Sequence, residues 1–299
     1  MRKFQRWIIV CAVLAGSVVM AAVTKGPYLI YTGNPSTMTV LWQTDATQSG
    51  TLYWGTSTSY SSGNMSSTEI SSSSHQHKKT ITGLSPATRY YYKIVVGSTT
   101  LTGNFKSAPS SSETDIKFLV YGDTRSNPGD HNTVASRIVD VYTADSAYQT
   151  MLLHVGDLAN DGNSESSWTR DFFPRNQSSI LKMQSSLPIQ ATMGNHEGTG
   201  TLFKKYFPYP FVGDRYWSFD YGPVHVSVVD QYVGDGNDVT GLILNTAQKN
   251  WLINDLSTTT KKFKIILLHH PGWAARGGHD NNNFVMNTLH PIFKQYGVT

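Results

Sequence analysis

The chain has 299 residues, of which 24 are Lys or Arg, 20 are Asp or Glu, and 39% are hydrophobic. That suffices to bury the core of one large domain or two ordinary ones, which excludes a disordered chain and a small disulfide-stapled scaffold. Three of the cations and none of the acids fall within residues 1–22. Beyond them 21 basic residues face 20 acidic ones, a balance from which no nucleic-acid partner is inferred.

The first elements are a positive stretch, Arg2, Lys3 and Arg6, and an apolar run from Trp7 to Met20, closed by the small residues Ala21 and Ala22. This order predicts a secretory signal peptide over residues 1–22 and export to the periplasm, the cell surface or the medium. The run is short for a spanning helix, and no later segment is long and apolar enough, so no membrane span is expected in the mature chain. The single cysteine, Cys11, lies inside the signal, and the mature protein is expected to have neither disulfide nor thiolate ligand.

Residues 24–106 read as all-β. Thr39-Val-Leu-Trp42 and Thr51-Leu-Tyr-Trp54 are short runs of β-formers between Gly, Ser and Asn turns. Tyr90, Tyr92, Ile94 and Val96 alternate and share one strand face. The preceding Leu84-Ser-Pro86-Ala-Thr88 resembles the tyrosine corner of fibronectin type III sandwiches. His75 and His77 follow a Ser-rich stretch and are expected in an exposed loop. Residues 107–115, rich in Ser, Pro and acids, read as a linker.

From residue 116 to 299 apolar strands alternate with helix-like segments, which predicts an α/β domain of mixed sheets flanked by helices. Val134, Ile138 and Val141 recur at helical spacing, and Thr246 precedes Gln248, Trp251, Leu252 and Leu256 in what reads as an N-capped helix. Four strand-like runs end in a metal-liking side chain: Phe118-Leu-Val-Tyr-Gly-Asp123, Leu152-Leu-His-Val-Gly-Asp157, Ile189-Gln-Ala-Thr-Met-Gly-Asn195 and Ile265-Ile-Leu-Leu-His269. In open α/β sheets the carboxyl ends of strands are where ligands bind. Separations of 34, 38 and 74 positions fit successive strand–helix units rather than one local loop. Two carboxylates, an amide oxygen and an imidazole suit borderline divalent ions, and point to a metal-dependent hydrolase. His154 and His225 sit inside apolar strands and are expected to be packed structural histidines.

Gly122-Asp123, Gly156-Asp157, Gly194-Asn195-His196-Glu197 and Ile266-x-x-His269 resemble, in order, the motifs of calcineurin-like metallophosphoesterases. The branch they are most similar to is the purple acid phosphatases, which also carry a fibronectin-like domain ahead of the catalytic one. The resemblance implies two divalent metal ions (Fe, Mn or Zn) and a phosphate monoester as substrate, hydrolysed by a metal-bound hydroxide. It implies that Asp157 bridges the ions, that Asp123 holds the first, and that Asn195 and His269 hold the second. His196 would then bond the phosphate or protonate the leaving group, and His279 would approach the substrate. A phosphodiesterase or nucleotidase on the same metals, and a non-catalytic binding protein on a decayed scaffold, are the alternatives.

The chain departs from the pattern in three places. Asn160 stands where the family has a tyrosine ligand, so no purple charge-transfer colour is expected. Arg125 stands where other branches have a histidine, and is expected to aim its guanidinium at the phosphate. His131 and Asp161 are weaker candidates for the ligand thus missing. The family's closing Gly-His-x-His does not occur before Thr299, so the expectation is a C-terminally truncated domain that holds metal weakly.

Overall fold

A computed structural model of the chain describes residues 21–70, 73–232, 244–275 and 280–299, so all of the expected signal peptide but Ala21 and Ala22 lies outside the described residues. Seven strands come first: β1 (Val23–Ile30), β2 (Met38–Thr44), β3 (Gly50–Gly55), β4 (Gly63–Ser67), β5 (Gln76–Ile81), β6 (Arg89–Val96) and β7 (Thr99–Lys106). One sheet has the order β4-β3-β6-β7. In β6 every second residue is buried, and Tyr90, Tyr92, Ile94 and Val96 form that face, as their alternation predicts. The Tyr90 hydroxyl accepts the Ser85 amide N–H at 3.0 Å, the upstream backbone bond of a tyrosine corner.

The second half supplies β8 (Lys117–Tyr121), β9 (Thr150–His154), β10 (Pro188–Ala191), β11 (Trp217–Tyr221), β12 (Val224–Val228) and β13 (Phe263–Leu267). Its helices are α1 (Pro128–Ala144), α2 (Glu165–Ser167), α3 (Ser178–Gln184), α4 (Thr201–Tyr206), α5 (Thr246–Thr258) and α6 (His290–Gln295). Strands β8, β9 and β10 run parallel, and β10 continues in parallel onto β1. A single six-stranded sheet, β5-β2-β1-β10-β9-β8, therefore crosses from one half of the chain to the other. A second sheet, β11-β12-β13, pairs β12 and β13 in parallel. The architecture is a β-sandwich followed by an α/β unit of mixed sheets and helices.

The sandwich and the α/β unit share strands because β1 and β2 are buried on both faces. Leu29, Val40 and Trp42 pack into the sandwich core with Tyr92 and Phe105. Tyr28, Ile30 and Leu41, pointing the other way, join the core of Leu152, Ile189 and Val226. Strands covered on both sides carry continuous apolar runs rather than alternation. The expected linker at 107–115 begins packed in the same way, with Ser107 buried and its carbonyl accepting Gln149 Nε2–H at 3.0 Å.

Three local expectations need correction. His77 is not in an exposed loop: it lies buried in β5, opposite Trp42 of β2, with the two rings stacked at 4.8 Å. Helix α1 forms, but it buries His131, Ala135, Ile138 and Tyr142 and leaves Val134 and Val141 45% and 47% exposed. The face bearing two large rings offers more area to bury than the two valines do. Helix α5 is capped by Asn245, whose side chain accepts the Gln248 N–H at 2.8 Å, and Thr246 is its first residue. No helix among the described residues is long and apolar enough to cross a membrane.

Candidate metal centre

Because β8, β9 and β10 are parallel, the loops after them, carrying Asp123, Asp157 and Asn195, emerge at one edge. The second sheet meets that edge through two bonds. Thr192 Oγ1–H donates to the Val229 carbonyl at 2.7 Å, and His269 Nδ1–H to the Val155 carbonyl at 2.6 Å. Asp123 and Asp157 both adopt left-handed φ, +55° and +57°, a conformation Asp tolerates better than most residues. Gly156 is required by close approach: a Cβ there would sit 2.7 Å from the Gly194 nitrogen and 2.8 Å from His269 Nδ1.

Ligand atoms of Asp123, Asp157 and His269 all lie within 4.8 Å of one another. Since His269 Nδ1 gives its proton to a carbonyl, Nε2 is left with a free lone pair, 3.6 Å from Asp157 Oδ1. Asp157 is buried. Its Oδ1 accepts the His196 amide N–H at 3.1 Å, and its Oδ2 accepts Arg125 Nε–H at 2.9 Å. His196 Nδ1–H donates to the Asn160 carbonyl at 2.7 Å, which turns Nε2 toward Asp157 Oδ2 at 3.9 Å. These groups open onto a cavity of about 200 Å³ lined by Asp123, Arg125, Asp157, Asn195, His269 and His270 among others. An oxygen-and-imidazole donor set of this kind fits a borderline divalent ion.

The structure thus brings together Asp123, Arg125, Asp157, Asn195, His196 and His269. His279 lies outside the described residues. His131 and Asp161 are not part of the group. His131 is buried on α1, with Nδ1 bonded to the Asp171 carbonyl at 3.1 Å. Asp161 is exposed and accepts its neighbour Asn163 N–H. Nearness in sequence to Asp123 and Asp157 says nothing of the direction these side chains take. Asn160 turns its side-chain oxygen to Ser126 Oγ at 3.0 Å. His154 and His225 are buried within their strands, as expected.

Two supporting residues went unread in the sequence. Glu197 is buried and accepts four backbone N–H groups: Asp157 at 2.9 Å, Leu158 at 2.7 Å, Ala159 at 3.4 Å and Gly194 at 2.6 Å. Burial, helped by the charge of Asp157, pushes its pKa up to about 7 against the pull of those bonds. One carboxylate therefore joins the Asp157 loop to the Asn195 loop. Its place in the Gly-Asn-His-Glu motif was the available signal. Gln231 is buried past the end of β12, and its Oε1 accepts the backbone N–H of both His269, at 3.1 Å, and His270, at 2.6 Å. A glutamine after an apolar strand carries no pattern by which to single it out.

Residues 24–118 match the purple acid phosphatase N-terminal domain and residues 116–299 the calcineurin-like phosphoesterase domain. Acid phosphatase type 7 of Mus musculus is 25% identical over 339 residues, spanning 98% of this chain and 73% of the mouse protein. The fold is similar to that of a purple acid phosphatase from yellow lupin (Lupinus luteus) seeds, with a TM-score of 0.66 and 17% identity over 91% of this chain and 56% of that one. It is also similar to PhoD, with a TM-score of 0.61 and 13% identity over 83% of this chain and 61% of that one. The chain thus spans less than two thirds of either solved structure. With a phosphoesterase match over more than half its length, an N-terminal domain of the purple acid phosphatase type ahead of it, and the Asp, Asp and His group at the strand ends, the chain belongs to the calcineurin-like phosphoesterases.

Proposed function

We propose that the protein is an exported, acid phosphatase-like enzyme that hydrolyses phosphate monoesters. The observation that carries this reading is the convergence of Asp123, Asp157 and His269 beside Asn195 on one open cavity. Asp123, Asp157, Asn195 and His269 are the residues that would hold the ions, with Asp157 shared between the two, Asp123 serving the first, and Asn195 and His269 the second. Divalent ions held there, Fe, Mn or Zn, would polarise a phosphoryl group and lower the pKa of a shared water toward neutrality. The naming of the mouse relative as an acid phosphatase supports the monoester reading. The charged start and apolar run of residues 1–22 support export.

The chain's own residues handle the substrate. Arg125 commits Nε–H to Asp157, which leaves its terminal N–H groups for phosphate oxygens in the cavity. His196 has Nδ1–H fixed on the Asn160 carbonyl, so Nε2 is the atom that takes and returns a proton at the leaving group. His279 is a further candidate by its place in the sequence.

The test is parallel kinetics on an aryl phosphate monoester and the matching diester, after loading with each metal in turn, for the wild type and Asp157→Asn. The expected result is a higher kcat/KM on the monoester and a loss of at least ~100-fold in the variant, since removing a ligand exceeds the usual cost of removing its support. A preference for the diester would replace the monoester reading. Phosphate release unchanged by Asp157→Asn would overturn the metal-dependent one.

A further inference from the structure

The geometry points to His154 as a positioning residue of the metal centre, a neutral imidazole that pins the Asp123 loop to the Asp157 loop; this rests on the metal-centre reading above. His154 ends β9 and is completely buried, edge-on to Tyr121 at 4.6 Å and to Phe172 at 5.6 Å. Its Nδ1 lies 3.2 Å from the Gly156 amide N–H. An amide can only donate, so Nδ1 is the acceptor and carries no proton. The ring proton is then on Nε2, which lies 3.1 Å from Thr124 Oγ1. The Thr124 hydroxyl passes its own hydrogen to the Leu158 carbonyl at 3.2 Å, and a carbonyl can only accept. Every proton along Gly156, His154, Thr124 and Leu158 therefore has one direction.

This relay meets the site at three points. Thr124 directly follows Asp123, while Gly156 and Leu158 stand on either side of Asp157. Both aspartates hold positive φ, a conformation that persists in a non-glycine residue only where the surroundings over-determine it. The backbone supplies part of that hold, through Asp123 N–H to the Gly156 carbonyl at 3.0 Å and Arg125 N–H to the Asp157 carbonyl at 3.2 Å. His154 adds the buried side-chain bonds beneath them. Both ring nitrogens are already committed, so the imidazole acts through the aspartates and is not itself a ligand.

The experiment compares the wild type, His154→Phe, Thr124→Val and the double variant by calorimetric titration with Mn²⁺ alone, with thermal melting to check the fold. His154→Phe keeps a ring against Tyr121 and Phe172 but deletes both bonds. Each single variant is expected to weaken Mn²⁺ binding by about 10–100-fold. The double variant should be little worse than the weaker single one, because both changes break the same relay. In metal-free protein, nitrogen-15 NMR should find the imidazole in the Nε2–H form. A folded Thr124→Val that binds Mn²⁺ within twofold of wild type, additive losses, or an Nδ1–H imidazole would each overturn the inference. If His154→Phe does not fold, Thr124→Val, which exchanges a hydroxyl for a methyl, still decides it. A wild type that takes up no Mn²⁺ would instead overturn the metal-centre reading, and the tautomer would still test the relay.

Discussion

Strands β12 and β13 lie side by side in parallel, and their two ends are built on different electrostatic plans. At the carboxyl end, polar side chains hold backbone: Gln231 grips the amides of His269 and His270, as Glu197 grips four in the loops after β9 and β10. At the amino end, side chains hold one another. His225 lies between Asp220, at 2.8 Å, and Asp255 of α5, at 2.9 Å, while Ser218 and Ser227 also donate to Asp255. Burial disfavours the charged form of His225, but its bonds to Asp255 and Asp220 outweigh burial and raise its pKa above the ordinary imidazole value. In His154 burial goes unopposed and holds the pKa well below that value. Two histidines in similar apolar strands are thus pushed in opposite directions, because only His225 has carboxylates beside it. The site end gains position from its polar groups, and the far end gains charge pairing.

If that contrast is sound, damage at the two ends should read out differently. The largest effect is expected from Glu197→Gln, which turns an amide toward backbone donors that need an acceptor. Metal affinity should fall by about 10–100-fold, with a stability loss of about 3 kcal/mol from donors left unpaired. Titration with Mn²⁺ and urea denaturation measure the two terms. Unchanged affinity in a folded variant would break the link between Glu197 and the site. At the other end, His225→Gln should cost about 2 kcal/mol, since hydrogen bonds to charged groups are lost, and leave metal affinity alone. The sign of its pH dependence follows from the raised pKa. The contribution of His225 is fully present below its unfolded value of about 6.5, and is lost as pH rises through the higher folded value. Asp255, held below the usual carboxylate range despite burial by its bonds to His225, Ser218 and Ser227, loses its share only as pH falls into the acid range. The melting-temperature gap between wild type and His225→Gln should therefore be wider near about pH 5.5 than near about pH 9. An equal gap at both would mean that His225 is not charged in the fold.

Much of the site was legible because it sits at strand ends. A run such as Leu152-Leu-His-Val-Gly-Asp157 states both the strand and the residue that leaves it, and Asp123, Asp157, Asn195 and His269 do share an edge. The alternation in β6 was legible for the same reason, since a period of two fixes the face. The fused sheet was not read, although its signal was present. Tyr28-Leu29-Ile30-Tyr31 is apolar at every position, as a strand between two cores must be, but its partner β10 begins at Pro188 and no local pattern points there. Gln231 escaped for a related reason. Its role depends on β13 lying beside β12, and a residue that serves another strand's backbone leaves no periodic trace.

The smallest effect belongs to a surface that neither end uses, and it tests the corrected face of α1. Val134, Ile138 and Val141 recur at helical spacing, yet Val134 is 45% exposed while Ala135 beside it is wholly buried. The choice was made by His131 and Tyr142, which lie on the Ala135 face and bury ring area that Val134 and Val141 cannot match. Val134→Lys should then change stability by no more than about 0.5 kcal/mol, as surface substitutions usually do. Ala135→Leu forces three extra carbons into a filled space and should cost about 1–3 kcal/mol. Urea midpoints of the two variants decide between the faces. Should Val134→Lys prove the more damaging, the helix is rotated from the face described, and His131 would have to leave its bond to the Asp171 carbonyl.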